Sequence, residues 1–165
     1  TNLDVKVARY HNVFGPFGTY DGGREKSPAA ICRKIIHSKL NNLDEIEVWG
    51  DGKQTRSYLF IDDCVNATLK LINSDFNGPI NIGSEEQVSI NQLIEKVQII
   101  SNYKVNKRHL KGMPLGVRGR SSDNTKIKKE LGWEPEYSLI NGLEKTYDWI
   151  LNKMSENKEN QFTKP

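Results

Sequence analysis

The sequence predicts a mixed α/β fold, and two observations carry that prediction. Short β-branched or apolar runs, VKVARY and PINIG among them, alternate along the chain with segments of helical periodicity. PINIG is short and apolar, as buried parallel strands are. At 165 residues the chain is long enough to bury a real core.

Each element follows from local pattern. Val5 to Tyr10 alternate Val and Ala with Lys and Arg, which predicts a strand. Phe14 to Gly23 hold four glycines and a proline, which predicts a loop. Ser27-Pro28 reads as an N-cap followed by proline at the first helical position, and Ile31, Cys32, Ile35 and Ile36 give that helix an apolar face to about Lys39. EIEVWG predicts a strand, Asp51-Gly52 a turn and RSYLF a further strand. Asp62 then caps a helix whose expected inward face is Val65, Leu69 and Ile72, and Gly78-Pro79 breaks the chain into PINIG. Ser89 and Gln92 have the spacing of a capping box, and Ile90, Leu93, Ile94 and Val97 continue that helix. A strand is expected near Val105 to Leu110, a short helix from Asp123 to Gly132, and a last helix from Leu139 to Lys153 with Leu143, Tyr147 and Ile150 inward. Residues from 154 to 165 are polar and predicted to form a disordered tail.

Composition narrows the function classes. Hydrophobic residues at 36% and charged ones at 27% are ordinary for a globular protein. A net charge of +3 suits an anionic ligand, but the basic residues are too scattered to argue for nucleic acid. No apolar run approaches the roughly 20 residues of a membrane span, so no membrane partner is expected. Cys32 and Cys64 sit in apolar helical patterns without metal-ligand spacing. They read as buried free thiols in a reducing, cytoplasmic setting, and no metal is expected.

Three segments carry basic residues that a fold does not demand. In GGREKSPAAICRK, Arg24, Glu25 and Lys26 stand at the positive end of a helix dipole, a field that disfavours a lysine's charge and so suits proton exchange. By position alone, a solvated charge cluster at a loop end is the better account of them. Lys34 lies on the stripe of Ser27 and Ala30, about 10 Å along the axis, so two lysines could reach the two ends of one elongated anion. Gln54-Thr55-Arg56 opens a strand after a tight turn, and Gly116 to Arg120 interleave arginines with glycines. Glycine admits a ligand close to the backbone, and arginine offers phosphate a fork of donors.

In order, RYHNVFGP, GGREKSPAAICRK, VWGDGKQTRSYLFIDD, PINIGSEEQVSI, GVRGRSSDN and LGWEPEYSL resemble the sugar-nucleotide epimerases and dehydratases of the extended short-chain dehydrogenase family. The GGREK and GVRGR pair is the more particular, and is similar to that family's GDP-sugar 3,5-epimerase branch. The resemblance covers residues 5 to 153. It implies the C-terminal part of an extended short-chain dehydrogenase Rossmann fold, with late Rossmann strands near 5–10 and 79–82, plus its smaller α/β substrate-binding domain. The glycine-rich dinucleotide fingerprint is absent from the chain, and Tyr103 and Lys107, a formal Tyr-x-x-x-Lys match, straddle a helix end. The isolated chain is therefore expected to be a catalytically silent C-terminal fragment.

The resemblance also implies chemistry residue by residue. NAD is the cofactor, oxidising carbon 4 of the hexose, and Lys26 is a catalytic acid/base for carbons 3 and 5. Asn12, Glu25, Lys26 and Ser27 would contact the sugar; Lys34, Gln54, Thr55, Arg56 and Arg120 would hold the nucleotide and its pyrophosphate. Tyr10 and His11 would stand near the nicotinamide. The partner is a GDP-sugar substrate, and the intact parent a homodimer. Ser27 departs from the more usual alanine, the Ser38 to Glu45 connection is long, and the loop after His109 is altered, which leaves the exact sugar open. Another sugar-nucleotide epimerase or dehydratase, and a non-catalytic nucleotide-sugar binding module, remain alternatives.

Overall fold

A computed structural model describes residues 3–114 and 116–162. Two apolar clusters organise it, and each owns different elements. The smaller gathers Leu59, Cys64, Ala67, Leu71, Ile80, Ile82, Ile127 and Trp133. It is built by strand β1 (Val7–Tyr10), helix α2 (Ile61–Ile72), strand β6 (Pro79–Ile82) and helix α4 (Thr125–Leu131). β1 and β6 pair in parallel, Val7 opposite Pro79 through Tyr10 opposite Ile82, so the two segments expected to be late Rossmann strands are neighbours in one sheet. A second parallel pair, β2 (Val13–Phe14) with β5 (Leu59–Phe60), lies at the junction of the two clusters.

The larger cluster is the core of three helices and the strands beside them. Helices α1 (Ser27–Leu40), α3 (Ile90–Ser101) and α5 (Leu139–Phe162) pack together around Ile35, Ile36, Leu93, Val97, Leu143 and Ile150. Strand β3 (Glu45–Trp49) lies against α1 and pairs in parallel with β8 (Asn106–Leu110). Strand β4 (Thr55–Ser57) is the centre of a three-stranded sheet, antiparallel to β7 (Gln87–Ser89) and parallel to β9 (Gly119–Arg120). Ile35 and Ile36 are wholly buried, and truncating such a side chain to alanine costs about 2–5 kcal/mol.

Several expectations hold in detail. The capping box closes as the spacing requires: Ser89 Oγ accepts from the Gln92 amide at 3.1 Å, and Gln92 Oε1 accepts from the Ser89 amide at 2.8 Å. Leu143, Tyr147 and Ile150 point inward, and Gly132 ends α4 in the left-handed region at φ 55°. Gly142 is required by close approach, since a Cβ there would stand 2.8 Å from the Phe60 ring and 2.9 Å from that of Phe14. Tyr103 precedes β8 and Lys107 lies within it, so the formal Tyr-x-x-x-Lys match has no helix to align it.

Other expectations need correction. The cap of α1 is Lys26, not Ser27, because the first helical bond runs from the Ala30 amide to the Lys26 carbonyl at 3.0 Å. Phe14, expected in a loop, belongs to β2, held by its parallel partner Phe60. RSYLF is not one strand: Arg56 and Ser57 pair with β7 and β9, whereas Leu59 and Phe60 pair with β2, so the segment crosses from one sheet to another. On α2 the buried face is Asp63, Cys64, Ala67 and Leu71. Val65, Leu69 and Ile72 are more than half exposed. The rotation is set by Asp63, whose carboxylate accepts the Glu136 and Tyr137 amides at 2.9 and 3.1 Å and so faces inward. The helix has two apolar faces, and these contacts choose between them.

α5 continues to Phe162 through the segment expected to be a disordered tail. Met154 packs against the larger cluster, and Lys153 pairs with Glu156 at 2.8 Å one turn on, so the helix outlasts its apolar pattern. Residues 163–165 lie outside the described ones. Among the described residues no helix is long and apolar enough to cross a membrane.

Candidate functional site

The larger cluster leaves a cavity of about 390 Å³ between the start of α1, strand β3, the opening of β4 and the first turn of α3. Its floor is apolar: Ala30, Ile31, Ile46, Val48, Ile90 and Ile94. Trp49, 48% exposed, adds an aromatic surface at the rim. Polar side chains enter from two directions, Glu25, Ser27, Arg33 and Lys34 from the α1 side, Gln54 and Arg56 from the β4 side. Such an apolar cleft with few convergent polar groups is the usual form of a small-molecule site.

Two of those polar groups carry a buried oxygen. The Glu25 side chain is only 8% exposed, its Oε1 accepts from Arg33 Nη2 at 2.8 Å, and its Oε2 is buried without a partner. Gln54 donates from Nε2 to the Trp49 carbonyl at 3.3 Å, and its Oε1 is likewise buried and unpartnered. Buried acceptors left unpaired are costly, so both groups are held at the cavity wall by the packing around them. Burial alone would raise the Glu25 carboxyl; its own amide, Arg33 and the Gly23 amide outweigh it and hold the group below the usual carboxylate range. Glu25 is therefore an anion at neutral pH. It would accept a hydroxyl and repel a phosphate.

The basic residues divide by geometry. Arg56 and Arg120 are register partners on β4 and β9, so they stand side by side on one face of the sheet. Arg56 is steadied by a bond from Nη1 to the Thr55 carbonyl at 2.7 Å. Arg120 is exposed and does not itself line the cavity. Arg118 pairs with Asp51 at 3.1 Å and so anchors the GVRGR loop against the turn before β4. Lys34 donates to the Glu47 carbonyl at 2.7 Å, which ties α1 to β3; burial, then the charge of Arg33, lowers its pKa. Lys26 is exposed at the cap of α1, between two cavity-lining residues, Glu25 and Ser27. Thr55 is half-buried beside Arg56, its amide bonded to the Arg118 carbonyl at 2.9 Å.

The remaining expected residues sit apart. Asn12 occupies the left-handed region at φ 42°; its side chain donates to the Ser57 carbonyl at the end of β4 at 3.0 Å and its carbonyl accepts from the Leu59 amide of β5 at 3.2 Å, and it does not line the cavity. Tyr10 and His11 lie at the carboxyl end of β1, where an open parallel sheet takes its ligands. Gly83 follows β6 at the same end; a Cβ there would meet the His11 Cβ at 2.8 Å. Tyr10 Oη hydrogen-bonds Thr68 Oγ1 at 3.1 Å. A phenol and an imidazole there suit the nicotinamide end of a dinucleotide, but the sequence has no glycine-rich strand, turn and helix to hold its pyrophosphate.

Sequence reasoning missed Arg33 and the apolar floor. Arg33 was legible in principle, since seven residues from Lys26 is nearly two full turns and returns it to the same side of α1. The floor was not, because it joins residues from α1, β3 and α3 that are far apart along the chain.

Residues 1–83, half of the chain, match the family model described as the NAD dependent epimerase/dehydratase family. GDP-mannose 3,5-epimerase 1 of Oryza sativa subsp. indica and GDP-mannose 3,5-epimerase of Arabidopsis thaliana are each 49% identical over 156 residues, 94% of this chain. The chain spans 40% of the length of these relatives. In structure it is similar to a UDP-glucose 4-epimerase from Thermotoga maritima solved with UDP-glucose, at TM-score 0.81 and 30% identity over 90% of this chain and 46% of the other. A UDP-glucuronic acid 4-epimerase from Bacillus cereus, solved with UDP-glucuronic acid and NAD, gives TM-score 0.75 and 30% identity over 92% and 46% of the two chains.

Proposed function

Because the chain belongs to the NAD-dependent epimerase/dehydratase family, we propose that it supplies the substrate-binding portion of a sugar-nucleotide epimerase acting on a GDP-hexose, GDP-mannose foremost. One observation carries the reading: Arg56, whose register partner is Arg120, and Glu25, the neighbour of Lys26, line one apolar cavity from two sides, the first suited to a diphosphate and the second to a sugar. The high identity to the two GDP-mannose 3,5-epimerases supports the choice of base and sugar.

When bound, NAD supplies reversible hydride transfer at carbon 4, which acidifies the hydrogens on carbons 3 and 5. Arg56 and Arg120 hold the diphosphate by charge-assisted forks. The anionic Glu25, a lining residue beside Lys26, repels that end of the ligand and so favours the hexose on the Lys26 side. Lys26 then moves a proton at carbons 3 and 5 on one sugar face. Ser27 and Gln54 complete the polar lining, and Lys34 braces it through β3. Tyr10 and His11 border the nicotinamide. Cys32 and Cys64 are buried, and burial raises both thiols, so the group for the opposite face comes from elsewhere in the protein. Two free thiols suit a cytoplasmic setting, and the family resemblance a homodimer, which sedimentation of the intact enzyme checks.

The test is isotope exchange. In the intact enzyme with GDP-mannose in deuterated water, Lys26→Ala should abolish deuterium entry at carbons 3 and 5 while leaving GDP-sugar affinity within about threefold. Unchanged exchange overturns the assignment. A UDP-sugar enzyme of the same family is the second reading, favoured by the UDP-sugar complexes among the similar structures; preferential binding of UDP over GDP would establish it instead.

A further inference from the structure

The segment that carries Glu25 and Lys26 has little of its own to hold it in place. Gly22 and Gly23 lie at φ 89° and 83°, where glycine is favoured, with nothing within 4 Å of where a Cβ would be. Arg24 and Lys26 are exposed. The Tyr20 ring, edge-on to Trp149 at 5.4 Å, is a packing contact at the near end.

Arg33 closes this segment onto α1. Its Nε donates to the Tyr20 carbonyl at 2.8 Å and lies 3.5 Å from Asp21 Oδ1. Its Nη2 donates to Glu25 Oε1 at 2.8 Å. One guanidinium thus bridges both sides of the glycine pair. The reach follows from helix geometry, because side chains lean toward the N-terminus, and Arg33 lies about 10 Å along the axis from Lys26.

We infer that Arg33 is a positioning residue: it locks the glycine-hinged segment Tyr20 to Glu25 against α1, which fixes where Glu25 and Lys26 stand beside the cavity. The inference rests on the proposed role of Lys26. The rival role for a cavity-lining arginine is to bind phosphate directly. Two of its nitrogens are already committed to Tyr20 and Glu25, and its charge is offset by Glu25 and Asp21. The lowered pKa of Glu25 agrees, since it keeps the pairing carboxylate charged.

Two readouts on the intact enzyme test this. The first, amide hydrogen exchange without substrate, does not depend on the reaction. Arg33→Met should speed exchange across residues 20–26 by about tenfold or more and leave β3 unchanged. The second is kinetic. Arg33→Met should lower kcat by about 10²-fold, the scale for a misplaced catalytic group, with KM for the GDP-sugar within about threefold. Arg33→Lys, which keeps the charge but cannot bridge both partners, should fall between. Should Arg33→Met fail to fold, Glu25→Ala removes the same pair from the other side and should loosen residues 20–26 likewise.

If KM rises as far as kcat falls, Arg33 binds substrate directly and the inference is wrong. It is equally wrong if residues 20–26 keep their protection. The two readings fail separately. Loss of isotope exchange in Lys26→Ala with unaltered protection and kcat in Arg33→Met sinks only the positioning role. A loosened segment with exchange unaffected in Lys26→Ala supports the positioning of the segment and sinks the proposed role of Lys26.

Discussion

Arg56→Ala asks most directly whether the cavity holds a diphosphate. Arg56 is the register partner of Arg120 and is steadied by its bond to the Thr55 carbonyl, so little ordering is needed when an anion arrives. A hydrogen bond to a charged group contributes about 1.5–3 kcal/mol, so losing one such donor should weaken GDP binding by about 10- to 150-fold. Arg120→Ala should do the same. The double variant should cost less than the sum of the singles, because neighbouring side chains sharing one anion couple by about 0.5–3 kcal/mol. Calorimetric titration of the intact enzyme with GDP, GMP and guanosine separates phosphate from base recognition. Loss should be largest for GDP, smaller for GMP and no more than about twofold for guanosine. Equal loss for all three ligands would refute the reasoning, since it would mean that Arg56 shapes the sheet and does not contact phosphate.

The other predictions concern stability and surface. Asp63→Asn should lower the unfolding free energy by about 1–3 kcal/mol, because an amide cannot accept both backbone N–H groups on two oxygens, and a urea midpoint reads the change. Burial holds the Asp63 carboxyl above its usual range. Its contribution to stability is therefore full below the unfolded value and lost as pH rises through the folded one, a slope that Asp63→Asn should remove. Cys32 is fully buried, and burial pushes its thiol up, so iodoacetamide at mildly alkaline pH should label it only on unfolding; labelling of the native chain would contradict the packing of α1. Val65, Leu69 and Ile72 leave an apolar stripe on α2, so the 165-residue chain alone should self-associate. Leu69→Lys should shift its sedimentation toward monomer with stability changed by less than about 0.5 kcal/mol, and unaltered association would put the contact elsewhere.

What the sequence by itself determined is what short-range physics controls. The capping box at Ser89, the left-handed stop at Gly132, the inward face of Leu143, Tyr147 and Ile150, and the α1 stripe of Ser27, Ala30 and Lys34 depend on residues within a few turns of one another. The segments RYHNVFGP and VWGDGKQTRS likewise sufficed to indicate the family, and both lie within the residues its model matches. Tertiary structure decided whatever required a partner from afar. Which of two apolar faces α2 would bury was settled by Asp63 meeting the Glu136 and Tyr137 amides, 73 and 74 residues away. Where RSYLF would break was settled by two different sheets claiming its halves. Asn12 became a strand tie and not a cavity residue because the Ser57 carbonyl lay within reach. The site divides the same way: its charges were legible in the sequence, but their arrangement around one apolar floor arises only when α1, β3 and α3 pack together.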